Sequence, residues 1–170
     1  MGYNHLFGPV PSRRLGISLG VDVVKSKTCN LNCVYCECGA TTNLTNERQE
    51  YVASGEIIAE IKDYLSKGLY LDYITFSGWG EPTLNSELGK MIREIKKITD
   101  TKICVITNGI LLYDENVRKD LMAADLVMPN MDYVTEESLA KIGRPAEGIS
   151  IERIVSGLKL FRKEYKGLLS

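Results

Sequence analysis

The chain has 170 residues, 44% of them hydrophobic and 25% charged, and a formal net charge of −1 at pH 7. This length and composition are typical of one ordinary soluble globular domain with a real core. The apolar runs are too short for a membrane span, the amino terminus lacks the apolar stretch of a signal peptide, and the near-neutral charge gives no global attraction to nucleic acid, so we expect a single cytoplasmic domain without a membrane segment.

Strand-like and helix-like segments alternate along the chain as four βα units. Each predicted strand is short and largely apolar, and apolar residues recur at helical spacing along the predicted helices. Asn85 is predicted to cap the second helix. The predicted strands are residues 17–24, 72–78, 102–107 and 125–129. The predicted helices are residues 56–68, 85–98, 115–124 and 150–165.

Alternating βα units predict an α/β fold with a parallel sheet, arranged either as a barrel or as an open doubly wound sheet. Periodicity alone does not choose between the two. In both folds the loops that follow the strands meet at the carboxyl edge of the sheet, where ligands bind. We therefore expect the cysteine-rich loop after the first strand to lie beside the sequences GWGEPT, TNG and PNMD, which follow the other three strands.

The cysteine-rich loop, KTCNLNCVYCEC at residues 27–38, holds four of the five cysteines, and the single histidine, His5, is far from it in sequence. An odd number of thiols crowded into one loop does not suit a disulfide framework, whereas soft thiolates hold zinc or iron-sulfur clusters. Cys29, Cys33 and Cys36 have the spacing C-x3-C-x2-C. The second cysteine pair of a zinc ribbon is missing, while a cubane cluster on three thiolates leaves one iron open to a small molecule.

The other two cysteines have plainer interpretations. Cys38 lies outside the three-cysteine pattern and is interpreted as a loop thiol, with a metal-binding or resolving role as the alternative. Cys104 lies inside an apolar predicted strand, where a cysteine is most often a small core residue. Arg13 and Arg14, in the amino-terminal segment, are interpreted as solvated and outside any site.

The cysteine spacing, with Tyr35 directly before the last of the three, resembles the cluster-binding signature of the radical SAM superfamily. The resemblance implies a parallel (β/α) repeat in the form of a partial TIM barrel. It implies that Cys29, Cys33 and Cys36 ligate a 4Fe-4S cluster whose free iron chelates S-adenosylmethionine (SAM). It further implies that the reduced cluster cleaves SAM to a 5'-deoxyadenosyl radical and that Tyr35 contacts the adenine.

The loop after the second predicted strand, SGWGEPTL, lies where the superfamily carries a Gly-Gly-Glu segment. The resemblance implies that Gly78, Gly80 and Glu81 bind the ammonium of the methionine moiety, with Glu81 presented at the sheet edge. Trp79 departs from the family pattern, since it replaces the first glycine. By itself, a glycine-rich turn after a strand is more often only a turn.

The loops after the third and fourth predicted strands complete the implied site. Thr107 and Asn108 correspond to a family segment that packs beside the cofactor. Asn130 corresponds to a Ser or Asn that hydrogen-bonds the ribose, and Asp132 either helps to orient the nucleoside or begins the next turn. Taken locally, these residues would be interpreted as turn and strand-end residues.

Three further sequences are notable: FGPVPSRRLGISLGVD at residues 7–22, GEPTL at 80–84 and EESLAKIGRP at 136–145. They resemble sequences of a branch of iron-sulfur oxidoreductases related to the tricyclic-wyosine enzymes, which modify transfer RNA. The resemblance implies RNA modification, with tRNA as the substrate and a flavodoxin or ferredoxin as the electron donor. The alternatives are activation of a glycyl-radical protein, maturation of a small molecule, or a noncatalytic iron-sulfur or zinc module.

The superfamily usually has six βα units, and four fit this chain. We therefore expect residues 1–170 to be one radical SAM core domain, truncated before its last strands. Such a domain exposes an open sheet edge, which promotes self-association.

Overall fold

The computed structural model describes residues 2–170. Across these residues the chain forms eight strands and five α-helices. The strands are β1 (Leu6–Ser12), β2 (Gly16–Val21), β3 (Thr28–Cys29), β4 (Asn43–Leu44), β5 (Tyr73–Phe76), β6 (Lys102–Thr107), β7 (Leu126–Pro129) and β8 (Leu168–Leu169). The helices are α1 (Ser54–Ser66), α2 (Leu88–Ile95), α3 (Glu115–Leu121), α4 (Glu136–Ser138) and α5 (Ile151–Glu164).

One six-stranded sheet organises the molecule, in the order β1-β2-β5-β6-β7-β8. The strands from β2 to β8 pair in parallel, and β1 pairs with β2 in the antiparallel sense. The remaining strands, β3 and β4, form a small separate parallel pair. Each parallel strand of the large sheet is added beside the preceding one, without the reversal of a doubly wound fold. The predicted α/β class with barrel-type winding is therefore confirmed.

The main core lies between the sheet and the helices that follow its strands. Ile57 and Ile61 of α1 and Met91 and Ile95 of α2 are fully buried, and each pair is four residues apart, which places both members on one helical face. They belong to the same buried cluster as Phe76 of β5. Burying a large apolar side chain contributes roughly 1.5–3 kcal/mol, so these faces hold the helices on the sheet.

Strand β1 is a structural element that the sequence pattern did not predict. Its segment, LFGPVPS, contains Pro9 and Pro11, which lack the N–H group that a central strand requires. The strand lies at the edge of the sheet, where proline is tolerated because one row of backbone groups needs no partner strand. The short strand β8 was also not predicted, and with it the chain enters a fifth parallel strand beside β7.

Helix α2 begins at Leu88, so the prediction of a helix from residue 85 was wrong at that end. Asn85 is completely buried and does not cap the helix. Its side-chain amide donates to Val23 O at 2.8 Å and its side-chain oxygen accepts from Glu87 N at 2.9 Å, which makes it a link between the second βα loop and the first. None of the helices within residues 2–170 is long and apolar enough to cross a membrane.

Parallel pairing brings the carboxyl ends of β2, β5, β6 and β7 to one edge of the sheet. Arg13 and Arg14 lie in the turn between β1 and β2 and are exposed. Because that turn precedes β2, both arginines lie at the opposite edge, outside the region where the loops converge.

Candidate functional site

All ten residues predicted to bind the cluster or SAM line one cavity of about 200 Å³ at the carboxyl edge of the sheet. They come from the carboxyl ends of β2, β5, β6 and β7 and from the loops that follow, as the parallel topology requires. Their convergence is a property of the fold, because neighbours in space are separated by up to about a hundred positions in sequence. The ten residues are Cys29, Cys33, Tyr35, Cys36, Gly78, Gly80, Glu81, Thr107, Asn108 and Asn130.

The three thiols of the C-x3-C-x2-C pattern differ in exposure. Cys29 is buried at the end of β3, while Cys33 and Cys36 are half-buried on one turn, in which Cys36 N donates to Cys33 O at 3.2 Å. Cys38 lines a different, larger cavity of about 1140 Å³, and its thiol donates to Gly78 O at 3.5 Å. Cys38 therefore contacts Cys36 but opens to a different cavity from the other three thiols.

Lys27 is a functional candidate that the pattern of site residues missed, although it lies two positions before Cys29 in the quoted loop. The residue is only 8% exposed, and its ammonium donates to the Cys36 sulfur at 2.7 Å. Burial lowers the pKa of Lys27, but the hydrogen bond to Cys36 and the nearby cysteines outweigh burial, and the net pKa is raised. Lys27 is therefore a cation held against sulfur.

The pKa values of the thiols follow burial and this cation. Burial raises the pKa of Cys29 to about 12, with the carboxylate of Glu81 adding to the shift, and burial also raises the pKa of Cys33. For Cys36, burial acts in the same direction, but the hydrogen bond and charge of Lys27, with hydrogen bonds from Cys38, lower the net pKa. Cys36 is therefore the thiol of the pattern that ionises most readily.

Glu81 lies at the carboxyl edge of the sheet, as predicted, but is buried there, with 2% of its surface exposed. One carboxylate oxygen accepts from Thr83 N at 3.0 Å, Thr83 Oγ1 at 2.6 Å and Thr107 Oγ1 at 2.6 Å. The other accepts from Asn108 N at 2.8 Å. Glu81 therefore ties the loop after β5 to the end of β6. Burial raises the pKa of its carboxyl group in spite of these four hydrogen bonds.

Asn30 and Asn108 join the cysteine loop to the loop after β6. Asn108 Oδ1 accepts from Ile110 N at 3.0 Å, which fixes its amide so that Nδ2 donates to Asn30 Oδ1 at 2.6 Å and lies 3.7 Å from the Cys29 sulfur. Asn30 is completely buried, and its own Nδ2 has no partner among residues 2–170. A buried donor beside a cysteine suits an additional acceptor at the site, such as a cluster sulfur.

The glycines of the GWGEP loop permit a close approach to the cysteine loop. A Cβ atom on Gly80 would lie 1.8 Å from Thr28 O, so only glycine fits there, and Gly78 has a φ of 131°, where side chains are rarely accommodated. Trp79 lies between them, but its 59% exposed side chain lines the larger cavity instead. Trp79 therefore departs from the glycine of the family pattern without filling the smaller cavity.

Tyr35 and Asn130 lie at the open side of the smaller cavity. The Tyr35 hydroxyl donates to Asp132 Oδ2 at 2.6 Å and its ring is about half exposed, so Asp132 orients the ring rather than standing alone at the start of a turn. Asn130 is exposed, and its backbone N–H donates to Thr107 O at 2.8 Å, which leaves its side chain available at the end of β7.

The sequence EESLAKIGRP packs beside the cysteine loop and is joined to it by backbone hydrogen bonds. It forms α4 and a turn of π-helix over Leu139–Gly143, and Arg144 follows in the left-handed conformation. Asn32 N donates to Gly143 O at 2.9 Å, Val34 N to Ile142 O at 3.0 Å, and Ala146 N, on the return, to Asn30 O at 3.0 Å. This backbone pairing fixes the residues between Cys29 and Cys36, and the sequence pattern did not predict it.

The donor set fits a 4Fe-4S cluster. Three soft thiols face one cavity, with a cation and a buried amide donor beside them. Within residues 2–170 the side chains of His, Cys, Asp and Glu do not converge in groups that would hold a single metal ion. A cubane places each of its thiolates on a different iron, so its ligands are more widely spaced than those of one ion.

The family model that matches this chain agrees with the prediction made from the cysteine spacing. A family model described as the radical SAM superfamily matches residues 23–169. A protein of Brachyspira hyodysenteriae described as the GTPase Obg is 47% identical over 162 residues, which cover 95% of this chain and 24% of that protein. A UPF0026 protein of Synechocystis is 39% identical over 166 residues, which cover 97% of this chain and 62% of that protein.

A solved structure described as native anSMEcpe with bound AdoMet has a TM-score of 0.66 and 24% identity, over 90% of this chain and 42% of that chain. At this identity the likeness shows the fold, which confirms the partial-barrel architecture. This chain spans less than two thirds of the length of the curated relatives named above. The family match extends over most of the chain, so the chain belongs to the radical SAM superfamily, whose members are enzymes that bind a 4Fe-4S cluster and SAM, the cofactors predicted from the cysteine spacing.

Proposed function

We propose that Cys29, Cys33 and Cys36 ligate a 4Fe-4S cluster and that SAM binds its remaining iron in the cavity at the carboxyl edge. The observation that carries this proposal is the convergence of these three thiols and the loops after β5, β6 and β7 on one cavity. When bound and reduced, the cluster supplies the electron that cleaves SAM to methionine and a 5'-deoxyadenosyl radical. A flavodoxin or ferredoxin is the proposed electron donor.

In this proposal the surrounding residues bind and orient SAM. Tyr35, held by Asp132, supports the adenine, and Asn130 bonds the ribose at the end of β7. The backbone of Gly78 and Gly80 approaches the methionine end, where the second oxygen of Glu81 has accepted only one hydrogen bond and retains capacity for an ammonium. Thr107 and Asn108 act chiefly by fixing Glu81 and the cysteine loop.

The test is anaerobic cluster reconstitution, followed by reduction with dithionite in the presence of SAM and chromatography of 5'-deoxyadenosine and methionine. Cys29→Ala, Cys33→Ala and Cys36→Ala should each lose cluster iron and SAM cleavage. Cys38→Ala is the matched control from the same loop and should keep both. Absence of cleavage by a fully loaded wild-type protein would refute the proposal, and loss of the cluster in Cys38→Ala would make Cys38 a ligand.

We further propose RNA modification as the reaction class, with tRNA as the substrate. The supporting sequences are the GEPTL and GRP segments, which the fold places at the β5 loop and against the cysteine loop. Two exposed cations lie at this end of the molecule: Arg144, next to the backbone that pairs with Asn32, and Lys25, on the larger cavity. Cations at the site edge suit phosphate groups, although the whole chain has a net charge of −1.

Filter binding of tRNA over a range of salt concentrations tests this subclass. Lys25→Ala and Arg144→Ala should weaken binding, and each lost phosphate contact should reduce the slope of log K against log salt by about 0.9. Arg13→Ala and Arg14→Ala are charge-matched controls at the opposite edge and should leave binding unchanged. Equal effects from both pairs, or absence of salt-dependent binding, would contradict an RNA substrate at this edge and favour a small-molecule or protein substrate.

A further inference from the structure

Lys27 has no carboxylate partner. None of the ion pairs among residues 2–170 includes it, and its ammonium is instead 2.7 Å from the Cys36 sulfur. The residue is 8% exposed and lines both the smaller cavity, which the three cysteines share, and the larger cavity beside it. A buried ammonium without a counter-charge is costly, so the negative charge that stabilises Lys27 must come from sulfur.

The backbone of Lys27, not its side chain, performs the structural role at this position. Its carbonyl oxygen accepts from Thr42 N at 3.0 Å, Asn43 N at 3.2 Å and Thr42 Oγ1 at 3.4 Å, which joins the start of the cysteine loop to β4. These bonds are independent of the identity of the side chain. The hydrogen bond from the ammonium to the Cys36 sulfur takes no part in this link, and the charge also lies near Cys29 and Cys38.

Three thiolates carry more negative charge than an oxidised cubane core carries positive charge, so a cluster on Cys29, Cys33 and Cys36 is anionic, and one added electron makes it more so. A fixed cation stabilises the reduced form more than the oxidised form, because its interaction energy grows with the negative charge it faces. Hydrogen bonds to cluster-ligating sulfurs act in the same direction and are among the determinants of cluster potentials.

We propose that Lys27 is a positioning residue that raises the reduction potential of the cluster by holding its ammonium against the sulfur of Cys36. The inference rests on the proposed function, since it requires the cluster on these three cysteines. Lys27 makes the one-electron reduction by an external donor more favourable, and no proton leaves it in the process.

The test compares wild type, Lys27→Gln, Lys27→Met and Lys27→Arg in the reconstituted protein, with Lys62→Gln as the control. Lys62 is an exposed lysine of α1 and has no part in the proposed site. The readouts are iron content and the midpoint potential from dithionite titration followed by electron paramagnetic resonance, in the absence of SAM turnover. We expect Lys27→Gln and Lys27→Met to shift the midpoint to more negative values, while Lys27→Arg and Lys62→Gln keep the wild-type value.

A fully loaded Lys27→Gln protein with the wild-type midpoint overturns the inference. If the neutral variants load no cluster, Lys27→Arg decides: a wild-type midpoint supports the role of the charge, and a midpoint shifted to more negative values contradicts it. A wild-type protein that binds no cluster refutes the proposed function and this inference with it. A cluster that is lost on substitution of Cys29, Cys33 or Cys36, but whose potential does not respond to Lys27, refutes this inference alone.

Discussion

The five thiols of the chain lie in environments that differ in burial and charge. Cys29 and Cys104 are buried without a cation bonded to their sulfurs, and burial raises the pKa of each to about 12. Cys36 is half-buried and bonded to the ammonium of Lys27, and its pKa is lowered. Since the thiolate is both the metal ligand and the nucleophile, these differences set the order in which the thiols react before a cluster is bound.

Alkylation of the cluster-free protein with iodoacetamide measures that order. At about pH 8 we expect Cys36 to be modified first and Cys29 and Cys104 last, because a lowered pKa gives more thiolate at a given pH and burial restricts access. For the same reason, the Cys36 rate should level off at a lower pH than the other rates. The measurement is mass spectrometry of peptides over time.

Unfolding in urea provides the control for this experiment, because it removes both burial and the Lys27 contact. In urea the five cysteines should react at similar rates. Equal rates for Cys29 and Cys36 in the folded protein would show that the bond between Lys27 and Cys36 does not control thiol ionisation.

At the scale of elements, the site depends on close contact between the loop after β5 and the cysteine loop. Glu81 N donates to Thr28 O at 3.1 Å, and Gly80 lies so near the same carbonyl that a side chain has no room. Glu81 then extends the contact to Thr107 and Asn108 after β6. Three consecutive βα loops are therefore held at fixed distances by backbone contact and one buried carboxylate.

Gly80→Ala should disrupt this arrangement. The added Cβ would meet the backbone at Thr28, 1.8 Å from the carbonyl oxygen, and backbone cannot move aside as a flexible side chain can. We expect the free energy of unfolding to fall by about 1–3 kcal/mol, the usual cost of overpacking, and the protein to retain its cluster less well. Urea denaturation followed by circular dichroism measures the change in stability.

Gly55→Ala is the matched control for Gly80→Ala. Gly55 is exposed in the first turn of α1, and an added Cβ would meet nothing within 4 Å. Because alanine favours helix more than glycine does, this variant should be neutral or more stable by up to about 1 kcal/mol. A Gly80→Ala protein as stable as Gly55→Ala would show that the two loops are not in the close contact described.

At the scale of the whole molecule, the two edges of the large sheet differ. The β1 edge carries Pro9 and Pro11, which lack the N–H groups that another strand would pair with. The other edge is β8, which pairs with β7 on one side, and its Leu168 is 60% exposed. Within residues 2–170, β8 is thus the edge better suited to recruit a second strand.

We therefore predict that the 170-residue chain self-associates through β8 and that Leu168→Lys reduces this association. A charged side chain on an edge strand opposes pairing between chains. Light scattering at several protein concentrations measures the mean mass. Leu160→Lys is the control, since Leu160 is a 39% exposed leucine on α5, away from the edge strand. A wild-type chain that remains a monodisperse monomer would contradict the prediction.

The sequence alone determined the order of the four predicted βα units and which of their loops meet at the carboxyl edge of the sheet. Both follow from local properties: apolar periodicity identifies the elements, and parallel strands joined by helices place their following loops on one side. The cysteine spacing likewise carried the family assignment, which the match over residues 23–169 confirms. The individual roles of the ten site residues stay predictions until they are tested.

Only the tertiary structure decided which residues around the cysteines touch one another. The bond between Lys27 and Cys36, the burial of Glu81, the Asn30–Asn108 amide pair and the antiparallel β1 all depend on the path of the chain through space. The apolar periodicity of a sequence does not predict such contacts, because a lysine or a glutamate counts as polar whether its side chain faces water or a neighbouring loop. The physical cause is burial. When distant loops pack together, their polar side chains lose contact with water and form hydrogen bonds with one another instead.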